Sequence, residues 1–166
     1  MLKSDAQLEA ARAELKRSYD LSPYEAVDVA WVAVLKLANL LPGASEHKRL
    51  LGLLERLPPD RIQSILSHKA VDTLLSLDPP LESVLRMPHE LLDLERTTQE
   101  LAVVRQHRAS DPKRALLDLA EVLKRIRNRR AHGFKTPYGP RDQEILGAAA
   151  PLLRAVGEAA ADVVGT

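Results

Sequence analysis

The chain has 166 residues, of which 45% are hydrophobic and 28% are charged, so it is long enough for one domain with a sizeable core. It has no cysteine, which excludes disulfides, thiolate metal sites and cysteine nucleophiles, and its net charge of +1 gives no global attraction to nucleic acid. The N-terminal segment lacks the apolar core of a signal peptide, and the most apolar stretch is too short to span a bilayer. We therefore expect a soluble cytoplasmic protein with no membrane partner.

Start and stop signals in the first third of the chain predict two helices. The sequence "SDAQ" at 4–7 is typical of a capping box and predicts a helix that runs to about Arg17. The sequence "SPYE" at 22–25 predicts a second helix, with Ser22 as its cap and a proline at its first position. Most faces of this second helix are apolar, which indicates a central position in the fold.

Residues 45–87 contain two similar stretches, "HKRLLGLLERLPP" from His47 and "HKAVDTLLSLDPP" from His68, which are offset by 21 positions. Their Pro-Pro pairs predict breaks between short helices. This weak 21-residue repeat arose either by duplication or by chance similarity in Leu-rich sequence. On either account we expect a helical insertion that packs on a larger bundle.

The rest of the chain predicts three longer helices. The first runs from about His89 to Arg108. The second has Asp111 as its cap, opens at Pro112 and ends at Gly133, and the third reaches about Val164 with a kink at Pro151. No segment has the pattern of a strand. The sequence therefore predicts an all-α, up-and-down antiparallel bundle that forms one domain over residues 1–166.

The stretch "KRIRNRRAHGFKTP" at 124–137 concentrates the positive charge of the protein. Seven Lys or Arg and no acid lie between Val122 and Arg141, so the other residues sum to a charge of −6 (1 − 7). A helix end attracts cations, and a glycine followed by an apolar residue is a common stop motif. However, six cations exceed what a helix end needs, and no neighbouring acid relieves their mutual repulsion. The sole Phe and a Tyr beside them favour single-stranded nucleic acid.

The run "RNRRAHG" from Arg127 to Gly133 resembles the signature of the HEPN superfamily, in which an Arg followed by a polar residue precedes a His by a few positions. Here four residues separate Arg127 from His132. The resemblance implies an all-α homodimer with metal-independent endoribonuclease activity, leaving 2′,3′-cyclic phosphate and 5′-hydroxyl ends. It also implies a toxin or defence role, with an antitoxin protein as a further partner. Other members of the superfamily bind nucleotides or partners and catalyse nothing.

The same resemblance marks Arg127 and His132 as the catalytic pair, assisted by Asn128. Histidine suits acid or base work near neutrality, and an arginine fork can hold two phosphate oxygens. Asn128 would orient the imidazole or bond a phosphate oxygen. The surrounding residues would bind RNA without reading its sequence; they are Lys124, Arg125, Arg129, Arg130, Phe134, Lys135 and Tyr138.

Helix geometry bears on how such a site is assembled. A regular helix places Arg127 and His132 about 140° apart, whereas Asn128 and His132 share one face. Two motifs that face one another in a dimer would bring arginine and histidine together. Unwinding at Gly133 is the alternative. Some HEPN toxins carry a modifiable Tyr where this chain has Phe134, so we do not expect that form of control here.

Several other functions are less consistent with the sequence than a nuclease. No metal or cofactor is expected, because the histidines lack paired ligands at helical spacing. A helix-turn-helix over residues 60–77 is disfavoured, because its second helix offers only Lys69 and carries Asp72, which repels phosphate. The main rival is a non-catalytic module that binds RNA, a nucleotide or a protein partner. A third reading is an interaction domain that docks through residues 45–87.

Overall fold

The computed structural model describes residues 3–78, 80–81, 88–131 and 140–166. These residues form eight helices and no strand, which confirms the all-α prediction. The helices are α1 (Lys3–Ser18), α2 (Pro23–Ala38), α3 (Glu46–Glu55), α4 (Pro59–Leu66), α5 (Lys69–Ser76), α6 (Pro88–His107), α7 (Pro112–Ala131) and α8 (Pro140–Val164).

Local capping explains where several helices begin. The Ser22 hydroxyl accepts a hydrogen bond from the backbone N–H of Glu25, and Pro23 follows as the first residue of α2, as the sequence predicts. Asp111 likewise accepts from the backbone N–H at position 114, 3.4 Å away, at the start of α7. Helix α1 differs slightly, because it already includes Lys3 and so begins ahead of the predicted cap at Ser4.

Helix α2 lies at the centre of the bundle. It packs most extensively on α8 and α1 and also contacts α3 and α7. Its buried residues are mostly small or β-branched, and the larger ones are Trp31 and Leu37. Helix α8 runs without a break through Pro151, and the expected stop of α7 at Gly133 lies outside the described residues.

The three short helices α3, α4 and α5 share the core of the bundle. Their contacts are mainly with α2, α7 and α8, and they contribute fully buried leucines such as Leu53, Leu66 and Leu74 to the same apolar cluster. The two stretches of the 21-residue repeat differ in structure. His47 is the second residue of α3, whereas the imidazole of His68 caps α5 by accepting from the backbone N–H of Ala70 at 3.0 Å.

Helix α6 packs against α7 and makes only minor contact with α5. The two helices run antiparallel, so the N-terminal half of α6 lies beside the C-terminal half of α7, where the basic stretch begins. In the part of the chain that the structure describes, no helix is long and apolar enough to cross a membrane.

Candidate functional site on helix α7

The apolar face of α7 anchors the basic residues of its second half. Leu119, Leu123 and Ile126 recur at helical spacing and are at most 1% exposed. The cations between and beyond them therefore lie on the flanks of α7, where one side meets α2 and the other meets α6. The core thus fixes where each guanidinium is presented.

Arg127 lies on the flank of α7 that faces α2. Its Nε donates to the Asp28 carboxylate at 3.1 Å, and its Nη1 donates to the side-chain oxygen of Asn128 at 3.3 Å. The side chains of Arg127 and Asp28 are 28% and 32% exposed. A guanidinium has five N–H donors, of which two are used, so three have no hydrogen-bond partner among the described residues. Arg127 is thus oriented by Asp28 and Asn128, and its side chain is partly exposed.

Asn128 contacts the neighbouring Arg127 through the bond just described. The sequence predicts that Asn128 orients the imidazole of His132 or bonds a phosphate oxygen, and this stays a prediction. The bond engages the carbonyl oxygen of the amide and makes no use of its N–H₂ donors. The two adjacent residues therefore hold one another in place.

Arg125 and Arg129 lie on the opposite flank and face α6. Arg125 Nη1 donates to Glu100 at 2.7 Å and to the Thr97 hydroxyl at 2.8 Å, and its Nε lies 3.8 Å from Asp93. The side chain of Arg129 is only 6% exposed, with Nη2 at 3.9 Å from Glu90 and Nη1 at 3.8 Å from Asp93. Carboxylates of α6 thus neutralise this flank of α7.

These contacts correct one expectation about the charge of the basic stretch. The sequence has no acid from Val122 to Arg141, which suggests that the repulsion between the cations goes unrelieved. In the folded chain, α2 and α6 bring carboxylates against three of the arginines. The distance between two charges along the sequence therefore does not show how close they lie in the folded chain. Lys124 is half-buried, and the predicted roles of Lys124, Arg125 and Arg129 in RNA binding stay predictions.

Several predicted site residues cannot be placed. Arg130 belongs to α7, but its side chain lies outside the described part of the structure. His132, Phe134, Lys135 and Tyr138 also lie outside the described residues. The structure therefore brings together Arg127 with Asn128 on one flank and Arg125 with Arg129 on the other.

Burial also changes the pKa of two acids along the α6–α7 contact. Burial raises the pKa of Glu100 above its ordinary value of 4.5, and the hydrogen bond and charge of Arg125 oppose that rise. Burial likewise raises the pKa of Asp118 above 3.8, and the charge of Arg114 opposes this. Desolvation therefore makes the ionised form of these α6 and α7 carboxyls less favourable than it is in water.

Sequence reasoning did not find Asp28, Glu90 or Asp93, which hold the arginines. A signal exists for Asp28 alone, because it is one of two charges that interrupt the most apolar stretch of the chain. Glu90 and Asp93 look like ordinary acids in the first turns of a helix. Across the described ranges, no group of three or more His, Cys, Asp or Glu could hold a metal ion.

No protein-family model matches this chain, and no curated protein or solved structure matches it significantly. The likeness of residues 127–133 to the HEPN signature therefore stays a hypothesis. The geometry of α7 and its two flanks is what bears on function.

Proposed function

We propose that the protein is a metal-independent endoribonuclease of the HEPN type that acts as a homodimer in the cytoplasm. The position of Arg127 carries the proposal. Its guanidinium lies near the end of a firmly buried helix, is oriented by Asp28 and Asn128, and keeps three donors for a phosphate. The motif continues from Asn128 to His132 within a few residues.

The chemistry that these residues would perform needs no metal. One His132 imidazole takes the proton of the RNA 2′-hydroxyl, and the freed oxygen attacks the adjacent phosphorus. The bond from phosphorus to the 5′-oxygen breaks, that oxygen takes a proton from water, and the protonated His132 passes its own proton back to water. Arg127 stabilises the extra negative charge of the pentacovalent phosphorus. The products are a 2′,3′-cyclic phosphate and a 5′-hydroxyl.

Asp28 supports this chemistry by orienting Arg127. A guanidinium fixed through Nε presents its remaining edge in one direction, so less ordering is needed when phosphate binds. A carboxylate at this place also balances the charge of Arg127 while the site is empty. Asp28 is therefore a positioning residue, and its partner is the group that would touch RNA.

The second candidate is a non-catalytic module that binds RNA, a nucleotide or a protein partner. The observation that favours it is the pairing of Arg125 and Arg129 with α6 carboxylates, which shows that part of the basic stretch serves helix packing. On this account Arg127 would also be a packing or binding residue. Arg127→Ala would then alter packing or binding, and there would be no RNA cleavage for it to slow.

Cleavage of an end-labelled, mixed-sequence RNA in excess EDTA tests the proposal. Wild type is compared with Arg127→Ala and with Arg96→Ala, which removes an exposed arginine on α6. We expect wild type and Arg96→Ala to cut alike, and Arg127→Ala to be slower by about a hundred-fold or more. Equal cutting by Arg127→Ala, or no cutting by wild type, would contradict the proposal. If wild type binds RNA without cutting it, the second candidate stands.

A further inference from the structure

The N-terminal half of α6, residues 88–100, is attached to the bundle mainly by polar side chains. Its buried described side chains are Glu90 and Thr97, which are 7% and 0% exposed. The leucines of this segment contribute little to the core. Two of them are 56% and 44% exposed and a third is only partly buried: Leu91, Leu92 and Leu94.

The second half of α6 is attached in the usual way. Its buried apolar residues, Leu101 and Val104, belong to the core cluster. Because apolar burial is the main source of attachment for a surface helix, the two halves of α6 are held by different forces. The first half depends on charge, and its partners are Arg125 and Arg129.

The charge contacts of the first half are loose. Three of its ion pairs, Arg125–Asp93, Arg129–Asp93 and Arg129–Glu90, have N–O distances of 3.8 or 3.9 Å, longer than a hydrogen bond. The short contacts of the segment are both to Arg125, from the Glu100 carboxylate at 2.7 Å and the Thr97 hydroxyl at 2.8 Å. A phosphate offers the same kind of oxygen ligand to a guanidinium and can accept two hydrogen bonds from it in a bidentate pair.

We infer that residues 88–100 form an autoinhibitory cover whose carboxylates compete with RNA phosphates for Arg125 and Arg129. This inference rests on the proposed function. The side chain of Arg129 is only 6% exposed, so a phosphate reaches it only when the groups that cover it, Glu90 and Asp93 among them, move away. RNA binding therefore displaces the cover, and its carboxylates hold the arginines when RNA is absent.

The attraction between the acids of α6 and the arginines of α7 explains why the cover closes on its own. Glu90 lies in the first turn of α6 and Arg129 in the last turn of α7, so each of these two charges is also favoured by the dipole of its own helix. Antiparallel packing then sets the two groups against each other. The alternative is a plain structural clamp, for which loss of Asp93 would weaken the fold and bring no gain in RNA binding.

RNA affinity in excess EDTA tests the inference, measured in a His132→Ala background so that the probe RNA stays intact. Asp93→Asn is compared with Glu95→Gln, which makes the same change of charge on the exposed side of α6. We expect Asp93→Asn to bind about five-fold tighter and Glu95→Gln less than about two-fold tighter. Glu90→Gln is the second variant, and circular dichroism verifies that each variant is folded.

Amide hydrogen exchange gives a readout that needs no variant of the cover. We expect the amides of residues 88–100 to exchange faster when RNA is bound, and those of residues 101–107 to stay unchanged. Unchanged exchange over 88–100, or equal affinity of Asp93→Asn and Glu95→Gln when RNA does bind, would overturn the cover and leave the nuclease proposal intact. If no version of the protein binds RNA, both the cover and the proposed function are wrong.

Discussion

The Asp28 carboxylate lies 3.1 Å from Nε of Arg127 and joins α2 to α7 across 99 positions of the chain. The two side chains are about one-third exposed, and ion pairs of that kind contribute about 0–1 kcal/mol to stability. The main effect of this contact is therefore on direction. It fixes the guanidinium on the flank of α7 that faces α2.

Replacing Asp28 by Asn should slow RNA cleavage more than it weakens the fold. The amide keeps the size of the side chain but loses its charge, so Arg127 is less firmly oriented. We expect the single-turnover rate to fall by about ten-fold and RNA affinity to change little. Asp20→Asn, at an exposed turn after α1, is the control and should cleave like wild type. An equal rate for Asp28→Asn would refute the positioning role.

Mixing two inactive variants should restore activity if each site takes arginine from one copy and histidine from the other. In a dimer of Arg127→Ala with His132→Ala, one composite site keeps both residues and the other keeps neither. Random mixing makes half of the dimers mixed, so about a quarter of wild-type activity should return. Measurement of RNA cleavage before and after mixing checks this. Activity that stays at the level of the separate variants would mean that each copy supplies its own pair.

Local signals predicted the helices well, because capping and helical spacing depend on residues within one or two turns. Ser22 and Asp111 cap α2 and α7 as their sequence context indicates. The α7 flank contacts required more than this. Arg127 meets Asp28 and Arg125 meets Glu100 only after three helices are packed together, and no spacing rule links such distant positions.

The same reasoning explains the error about charge in the basic stretch. A run of cations without nearby acids in sequence looks like an exposed patch. Arg129 is instead almost fully buried between its own helix and the acids of α6. The docking of α6 decides which arginines of α7 face solvent. The acids of α6 follow no sequence pattern that marks them as partners of those arginines. His132 lies outside the described residues, so its predicted role still depends on the motif.

Two glycines of α8 should respond in opposite ways to replacement by alanine. A Cβ at Gly147 would meet nothing within 4 Å, so Gly147→Ala should stabilise the helix by about 0.5–1 kcal/mol. A Cβ at Gly157 would lie 2.5 Å from Cδ2 of the buried Leu15. Gly157→Ala should therefore be less stable than Gly147→Ala by about 1–3 kcal/mol. Urea denaturation of both variants measures the difference, and equal stability would contradict the close α1–α8 packing.

The α6–α7 contact should make stability depend on pH through Glu100. Burial raises its pKa above 4.5, so the folded protein keeps this proton at pH values where the unfolded chain has lost it. The resulting stability is fully present below about pH 4.5 and falls as the pH rises through the folded pKa.

The Glu100→Gln variant lacks this titration and isolates its effect. Its free energy of unfolding should therefore increase relative to that of wild type as the pH rises from about 4.5 to neutrality. Glu95→Gln, exposed on the same helix, controls for the loss of a carboxylate. Denaturant titrations across this pH range make the comparison, and a difference that shrinks with rising pH would show that the sign is wrong.

The most direct test of the nuclease account is the chemistry of the RNA ends that the protein leaves in excess EDTA. Wild type is compared with His132→Ala and with His47→Ala, which removes a histidine whose side chain is 53% exposed on α3. The account predicts 2′,3′-cyclic phosphate and 5′-hydroxyl ends from wild type and His47→Ala, and a rate lower by at least about a hundred-fold for His132→Ala. Other ends, dependence on a divalent metal or an unimpaired His132→Ala variant would contradict it.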